Sequence, residues 1–177
     1  MPDQRLPATT FEDLALPLFD QLYNFARWLA QDASEAEDLV QETYAKALRG
    51  FSGFQIGTNF RAWMFRILRN TFLTSRAGLR SVAGGDDDFE NVPSGHPSPE
   101  AVLIGNADRD VVRQALVELP VAFREILLLC EVEEMAYEEI AQVLAIPIGT
   151  VMSRLHRARK ALRARLLEKV KGEPHGM

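Results

Sequence analysis

Between Ser81 and Glu100 the chain reads SVAGGDDDFENVPSGHPSPE, rich in Gly, Pro, Ser and Asp and nearly free of large apolar side chains. A stretch of that composition contributes little to a packed core and reads as a linker. It divides the 177 residues into two parts, and each part must bury its own apolar surface. Both parts carry apolar residues at helical spacing, and neither shows sustained period-2 alternation, so helices without a sheet are expected. The sequence therefore predicts an all-α protein: a helical domain over 11–80, a flexible acidic linker over 81–104 and a second helical domain over 105–170.

In the first part, LALPLFDQLYNFARWLA sets Leu18, Leu22, Phe25 and Leu29 at helical spacing. SEAEDLVQETYAKALRGF opens with Ser34 and, three residues on, Glu37, the pattern of a capping box. Leu39, Val40, Thr43, Ala47 and Leu48 then make one stripe, and Gly50 and Gly53 end the helix and open a loop. NFRAWMFRILRNTFLTSRAGLR is the third helix. In the second part, Leu119-Pro120 marks a helix boundary, because proline disfavours helix at the residue before it. VAFREILLLCEVEE is the next helix, and Cys130 within it is expected to be a small buried core residue.

The stretch MAYEEIAQVLAIPIGTVMSRLHRARKAL holds the sharpest contrast. YEEIAQVLA is a short helix with Ile140, Val143 and Leu144 on one face, IPIG interrupts it, and a second helix starts around Gly149-Thr150. That is the size and punctuation of a helix-turn-helix. On a wheel of about 100° per residue, Val151, Leu155, Ala158, Leu162 and Leu166 fall on one side of the second helix. Ser153, His156, Arg157 and Lys160 fall on the other, with Met152, Arg154 and Arg159 on the flanks. One apolar and one basic face suit a helix that lies in the major groove of DNA, where Arg bonds guanine bidentately and Ser and Lys take phosphates or base edges. A solvated basic face on an ordinary surface helix has the same pattern.

Charge supports a polyanionic partner. The chain is acidic overall, with net charge -5, yet thirteen of its 20 Lys and Arg lie in two short segments. Residues 61–80 hold Arg61, Arg66, Arg69, Arg76 and Arg80 with no acid, and residues 150–172 hold eight bases against Glu168 alone. Two separated places can thus bind a polyanion while the rest of the surface stays acidic. No apolar run is long enough for a membrane span and no secretory signal is visible, so a cytoplasmic protein without membrane contact of its own is expected. His96, His156 and His175 are scattered, and no Gly-rich phosphate loop or HExxH is present, so neither an enzyme nor a metal or cofactor site is expected.

These residues resemble a known family. Leu119-Pro120, Arg124-Glu125, Tyr137-Glu138-Glu139-Ile140-Ala141 and Gly149-Thr150-Val151, followed by Ser153 to Arg159, are similar to region 4 of the extracytoplasmic-function sigma factors of bacterial RNA polymerase. EAEDLVQETYAKAL looks like region 2.2, and NFRAWMFRILRNTFL like regions 2.3 and 2.4. The resemblance spans roughly residues 11–80 and 105–168.

It implies a transcription initiation factor that joins core polymerase and opens promoters, usually under an anti-sigma factor. Region 2 would bind the clamp helices of the largest subunit through Asp38, Gln41, Glu42 and Ala45. It would hold the −10 element with Asn59, Arg61, Trp63, Arg66, Arg69, Asn70 and Arg76, the loop capturing a flipped base and Asn70 lying near it. Trp63 is read equally as a core residue. Region 4 would read the −35 element with Met152, Ser153, Arg154, His156, Arg157, Arg159 and Lys160, and would receive the flap of the second-largest subunit. Asp86, Asp87, Asp88 and Glu90 in the linker would stand in for RNA phosphates in the polymerase cleft.

Reach agrees with this. About 25 linker residues extend to roughly 80 Å, and promoter elements two helical turns apart lie roughly 70 Å from each other. The competing reading, a helix-turn-helix regulator that never meets polymerase, accounts for residues 135–165 and leaves the AEDLVQETYAKAL block unexplained.

Overall fold

The computed structural model describes residues 8–80 and 109–172, with backbone alone for 77–80. The expected linker and its acidic residues Asp86, Asp87, Asp88 and Glu90 lie outside the described residues. Among those described there is no strand. The chain forms two compact units.

The first unit begins with α1 (Phe11–Ala15), closed by a capping box in which Thr10 and Asp13 exchange backbone-to-side-chain bonds of 3.2 and 3.1 Å. The helical pattern from Phe11 is not continuous. Pro17 sits in a 3-10 turn, Leu16–Leu18, before α2 (Phe19–Ala30) resumes. After Gln31, in the left-handed region at φ 60°, the chain reverses into α3 (Ala33–Gly50). A turn, Phe51–Gly53, and a loop lead to α4 (Phe60–Arg80). Asn59 caps α4 by accepting from the Ala62 N–H at 2.9 Å.

Helices α2, α3 and α4 pack on one another. Leu22, Phe25 and Leu29 meet Leu39, Val40 and Ala47 of α3 and Met64, Phe65, Leu68 and Phe72 of α4 in one buried core. Each large side chain contributes about 1.5–3 kcal/mol by leaving water. Polar groups in this core are satisfied: Thr43 donates to the Leu39 carbonyl at 2.7 Å, and Thr71 to Ile67 at 2.7 Å. Tyr44 donates to the Ala15 carbonyl at 2.6 Å and so ties α3 to the end of α1. Burial, reinforced by Asp20, pushes its hydroxyl up to about 12, so it stays a donor.

Two details differ from the sequence expectations. The cap of α3 is Asp32, which accepts from the Glu35 N–H at 2.8 Å, and Ser34 already lies inside the helix. Leu48 is 57% exposed rather than part of the buried stripe. It stands at the far end of α3, where the 3.6-residue period has carried it off the packed face.

The second unit contains α5 (Arg109–Glu118), α6 (Val121–Leu127), α7 (Tyr137–Leu144) as far as Ala141, and α8 (Ile148–Gly172). Helix α6 runs into a π-helical turn, Leu128–Val132, closed by the Glu133 N–H on the Leu128 carbonyl at 3.0 Å. The expected boundary at Leu119-Pro120 is present, with Pro120 as the N-cap of α6. Helix α8 starts at Ile148, a little earlier than Gly149-Thr150. Its buried stripe is Val151, Leu155, Ala158, Leu162 and Leu166, as the wheel predicts.

One buried side chain holds the α5–α6 corner. The guanidinium of Arg124 donates to three carbonyls at the end of α5: Leu116 at 3.1 Å, Val117 at 2.7 Å and Leu119 at 3.1 Å. These are carbonyls of the last turn, where intrahelical partners run out, and of the three only Leu116 also accepts from a later backbone group, the Leu119 N–H at 3.2 Å. Glu118, beside them, binds Lys169 of α8 at 2.7 Å. Arg124→Ala is expected to cost about 2–4 kcal/mol, because several buried groups lose their bonds together. Arg124→Lys should recover little of this, since one ammonium cannot span three carbonyls. Urea unfolding would show both variants with lowered midpoints, and a wild-type midpoint for Arg124→Ala would refute the role.

Candidate nucleic-acid interface

In the second unit the turn of the helix-turn-helix is Ala145–Ile146–Pro147. Ala145 takes the left-handed conformation at φ 54°, and the Pro147 carbonyl accepts from the Thr150 and Val151 N–H groups at 3.0 and 3.1 Å. This reversal sends α8 off with its apolar stripe inward. Everything the stripe does not use is turned outward, and that decides which side chains a duplex can meet.

Met152 is 55% exposed and Ser153 is exposed, while Arg154, His156, Arg157, Arg159 and Lys160 are half-buried along the same outer arc. The Ser153 hydroxyl donates to the Thr150 carbonyl at 3.2 Å. Arg157 reaches its own helix only through a long contact of 3.5 Å to the Ser153 carbonyl. Ile148, at the exposed start of α8, joins Met152 one turn on. The sequence reading passed over Ile148 because it placed the helix start one residue later.

Arg159 is differently placed. Its Nη2 and Nε donate to Glu131 Oε1 at 2.9 and 3.3 Å, and Nη2 lies 3.6 Å from Cys130 Sγ. Burial works against its charge, but hydrogen bonds with Glu131 and Tyr137 outweigh this, and the guanidinium is held above its ordinary value.

Cys130 is half-buried, not a core residue as expected. Burial raises its thiol above the usual range and the Glu131 charge adds to this, with Arg159 opposing. A raised value means less thiolate near neutral pH. Alkylation of Cys130 by iodoacetamide should therefore be slower than that of a free cysteine and should accelerate above the ordinary thiol range, followed by mass spectrometry. Rapid modification at neutral pH would contradict this environment.

In the first unit the basic residues of α4 divide. Arg66 and Asn70 are exposed. Arg61 and Arg69 are half-buried and engaged in further side-chain contacts. Arg76 has a partner inside the unit: its Nη2 donates to both Glu35 oxygens at 3.0 and 3.2 Å, and its guanidinium lies 5.2 Å from the Phe72 ring centre. Much of its charge is already used there. This pairing spans 41 positions, which periodicity does not report.

Trp63 is half-buried with its ring 4.9 Å from Phe54 and 5.5 Å from Phe60. Phe51 and Phe11 extend the group. The sequence reading singled out Trp63 alone. The structure shows an aromatic base beneath the 54–59 loop, whose signal was the phenylalanines flanking it. In the loop, Gly57 has φ 97°, Thr58 bonds back to the Gln55 carbonyl at 2.7 Å, and Ile56 is 61% exposed. Asn59, as the cap of α4, has its side-chain oxygen occupied.

On α3, Asp38, Gln41, Glu42 and Ala45 are all exposed, one continuous outer stripe opposite Leu39, Val40, Thr43 and Ala47. Glu42 pairs with Lys46 at 3.2 Å, one turn on.

Comparison with known proteins follows the same division of the chain. Residues 17–81 match Sigma-70 region 2 and residues 109–162 match Sigma-70, region 4. The chain is 36% identical over 163 residues to the ECF RNA polymerase sigma factor EcfG of Rhodopseudomonas palustris, covering 91% of this chain and 88% of that protein. It is 35% identical over 156 residues to the ECF RNA polymerase sigma factor SigE of Mycolicibacterium smegmatis, covering 87% of this chain and 60% of that longer protein. Among solved structures, the sigma factor RpoE of Bartonella quintana, in complex with the anti-sigma factor NepR, superposes with a TM-score of 0.67 at 34% identity, over 93% of this chain and 98% of that one. CnrH, in complex with the cytosolic domain of CnrY, gives 0.62 at 25% identity, over 90% and 88%. With regions 2 and 4 in this order and matches along most of its length, the chain belongs to the extracytoplasmic-function sigma factors of RNA polymerase.

Proposed function

We propose that this protein is a transcription initiation factor that binds core RNA polymerase, directs it to promoters through −10 and −35 elements, and helps open the duplex. The observation that carries this is the pairing of two surfaces in one chain: an exposed acidic and amide stripe on α3, and a helix-turn-helix whose second helix buries the stripe Val151, Leu155, Ala158, Leu162 and Leu166 and turns its basic positions away from it. A regulator that binds DNA alone has no use for the first surface.

Asp38, Gln41, Glu42 and Ala45 form the polymerase contact, suited by charge to the basic face of the clamp helices. Arg66, Arg69 and Arg61 hold phosphates of the melted −10 strand, with Asn70 beside the captured base. Arg76, bound to Glu35, serves there mainly as a brace between α3 and α4. Trp63 acts from within the aromatic base that supports the 54–59 loop. On α8, Ser153, His156, Arg157 and Lys160 face the groove, Met152 offers an apolar contact to a thymine methyl, and Arg154 and Arg159 lie on the flanks toward the backbone. The flap of the second-largest subunit meets the second unit. The relative from Bartonella quintana is bound by an anti-sigma factor, and the same mode of control is assigned to this chain. No helix of the described residues is long and apolar enough to cross a membrane, and the factor works where polymerase works, in the cytoplasm.

Two outcomes test this reading. Asp38→Arg with Glu42→Arg should abolish binding to core polymerase with helix content unchanged by circular dichroism. A double variant that competes for core as well as wild type removes the α3 assignment. Arg157→Ala should cost about 1–3 kcal/mol on the preferred promoter and relax selection at one −35 position. Open-complex formation on a −35 library measures it, and a loss equal on all sequences would remove base reading from Arg157.

A further inference from the structure

Arg159 lies on the flank of α8 that the proposed function turns toward the DNA backbone, yet its fork is occupied in the free protein. Two of its N–H groups converge on one oxygen of Glu131, at 2.9 and 3.3 Å. The same guanidinium donors would take a phosphate, as parallel N–H···O bonds to its oxygens. Glu131 comes from the π-helical turn Leu128–Val132, and the side chains of the pair are 30% and 50% exposed, on the rim of the unit rather than in its core. A pair so exposed contributes little to folding. It is therefore open to exchange with a stronger anion.

From this we infer that Glu131 is an internal stand-in for a DNA phosphate. In the free protein it positions Arg159 and neutralises it. When the duplex docks on α8, the backbone phosphate takes the guanidinium and the carboxylate is displaced. Glu131 then stands beside DNA as an uncompensated negative charge, so it weakens binding to any sequence equally. It lowers attachment to non-specific DNA while leaving the groove-facing Ser153, His156 and Arg157 to discriminate. The inference rests on the reading of α8 as the DNA-facing helix. A purely structural brace predicts the reverse: the pair would persist in the complex, and loss of the carboxylate would loosen α8 and weaken binding.

The test uses the full chain assembled with core polymerase and fluorescent duplex promoters, with equilibrium binding measured over a salt series. Glu131→Gln keeps the side-chain shape and removes the charge. It should tighten binding by up to about fivefold, the upper range for releasing an exposed pair. The gain should be equal on preferred and altered −35 sequences. The slope of log affinity against log salt should steepen by up to about one, because no freed carboxylate takes up a cation while the DNA releases its own. In an Arg159→Ala background the same change should give no gain and no change of slope. Weaker binding by Glu131→Gln, an unchanged slope, or a gain that survives in Arg159→Ala would each overturn the inference. Arg157→Ala is the control. If it weakens the preferred promoter while Glu131→Gln fails, the inference alone falls. If Arg157→Ala is also without effect, α8 is not the DNA-facing helix and both readings fall.

Discussion

Each exposed charge on the helices of this protein is placed by an apolar stripe on the other side. In α8 the buried set is Val151, Leu155, Ala158, Leu162 and Leu166, and no residue of it is polar. Once these five face inward, the direction of every other side chain on the helix is set by the 3.6-residue period. A shift of one residue would turn the helix by about 100° and carry Arg157 off the outer arc. Helix α3 obeys the same rule. Leu39, Val40, Thr43 and Ala47 go in, and Asp38, Gln41, Glu42 and Ala45 come out as one surface. Packing thus sets the direction of the functional groups before any side-chain contact adjusts them.

Short helices make this orientation costly to maintain, because isolated helices of 7–12 residues are marginal in water. The ends are where the structure compensates. Asp32 and Asn59 cap α3 and α4, Thr10 and Asp13 close α1, and Arg124 gathers the last carbonyls of α5. The Arg124 arrangement does two things at once. It gives the Val117 and Leu119 carbonyls a donor where the helix offers none, and it fixes the angle at which α6 leaves Pro120. Since α6 packs against α8, that angle bears on how the recognition helix is carried.

Much of this was legible in the sequence, and the exceptions have identifiable causes. The all-helical class, the helix at 60–80, the boundary at Leu119-Pro120, the helix-turn-helix and the full stripe of α8 all come from period and punctuation. Ser34 and Asp32 are equally good capping residues, so chemistry alone could not choose between them; the backbone enters the helix two residues early. Cys130 looked like core because ILLLC is an unbroken apolar run. The π turn inserts an extra residue into that run and rotates the residues after it, which brings Cys130 to half exposure and Val132 to 55%. Arg76 with Glu35 and Arg159 with Glu131 join residues 41 and 28 positions apart. Such pairings depend on how helices lie against each other, and no single-helix pattern contains them. The sequence showed which face was basic but not which of its charges were already in use.

That distinction matters for how an acidic protein handles a polyanion. With 25 acids to 20 bases, the basic surfaces cannot stay bare: Arg76 has Glu35, Arg159 has Glu131, Lys46 has Glu42, and Lys169 and Arg165 share Glu118. Exposed pairs of this kind are worth at most about 1 kcal/mol each, close to the thermal scale, so a phosphate can replace the carboxylate at little net cost. The exchange leaves total affinity low and its salt dependence shallower than bare bases would give, because every base gained by DNA is a base lost by an acid of the same chain, which then takes up a cation. Discrimination must then come from groups that hydrogen-bond base edges rather than phosphates. On α8 these are the positions opposite the buried stripe, where Ser153 and Arg157 make contacts of only 3.2 and 3.5 Å to their own backbone. On the function proposed for this helix, weak internal bonds at those positions would keep the donors available, while ion pairs at the rim would hold the non-specific charge in check.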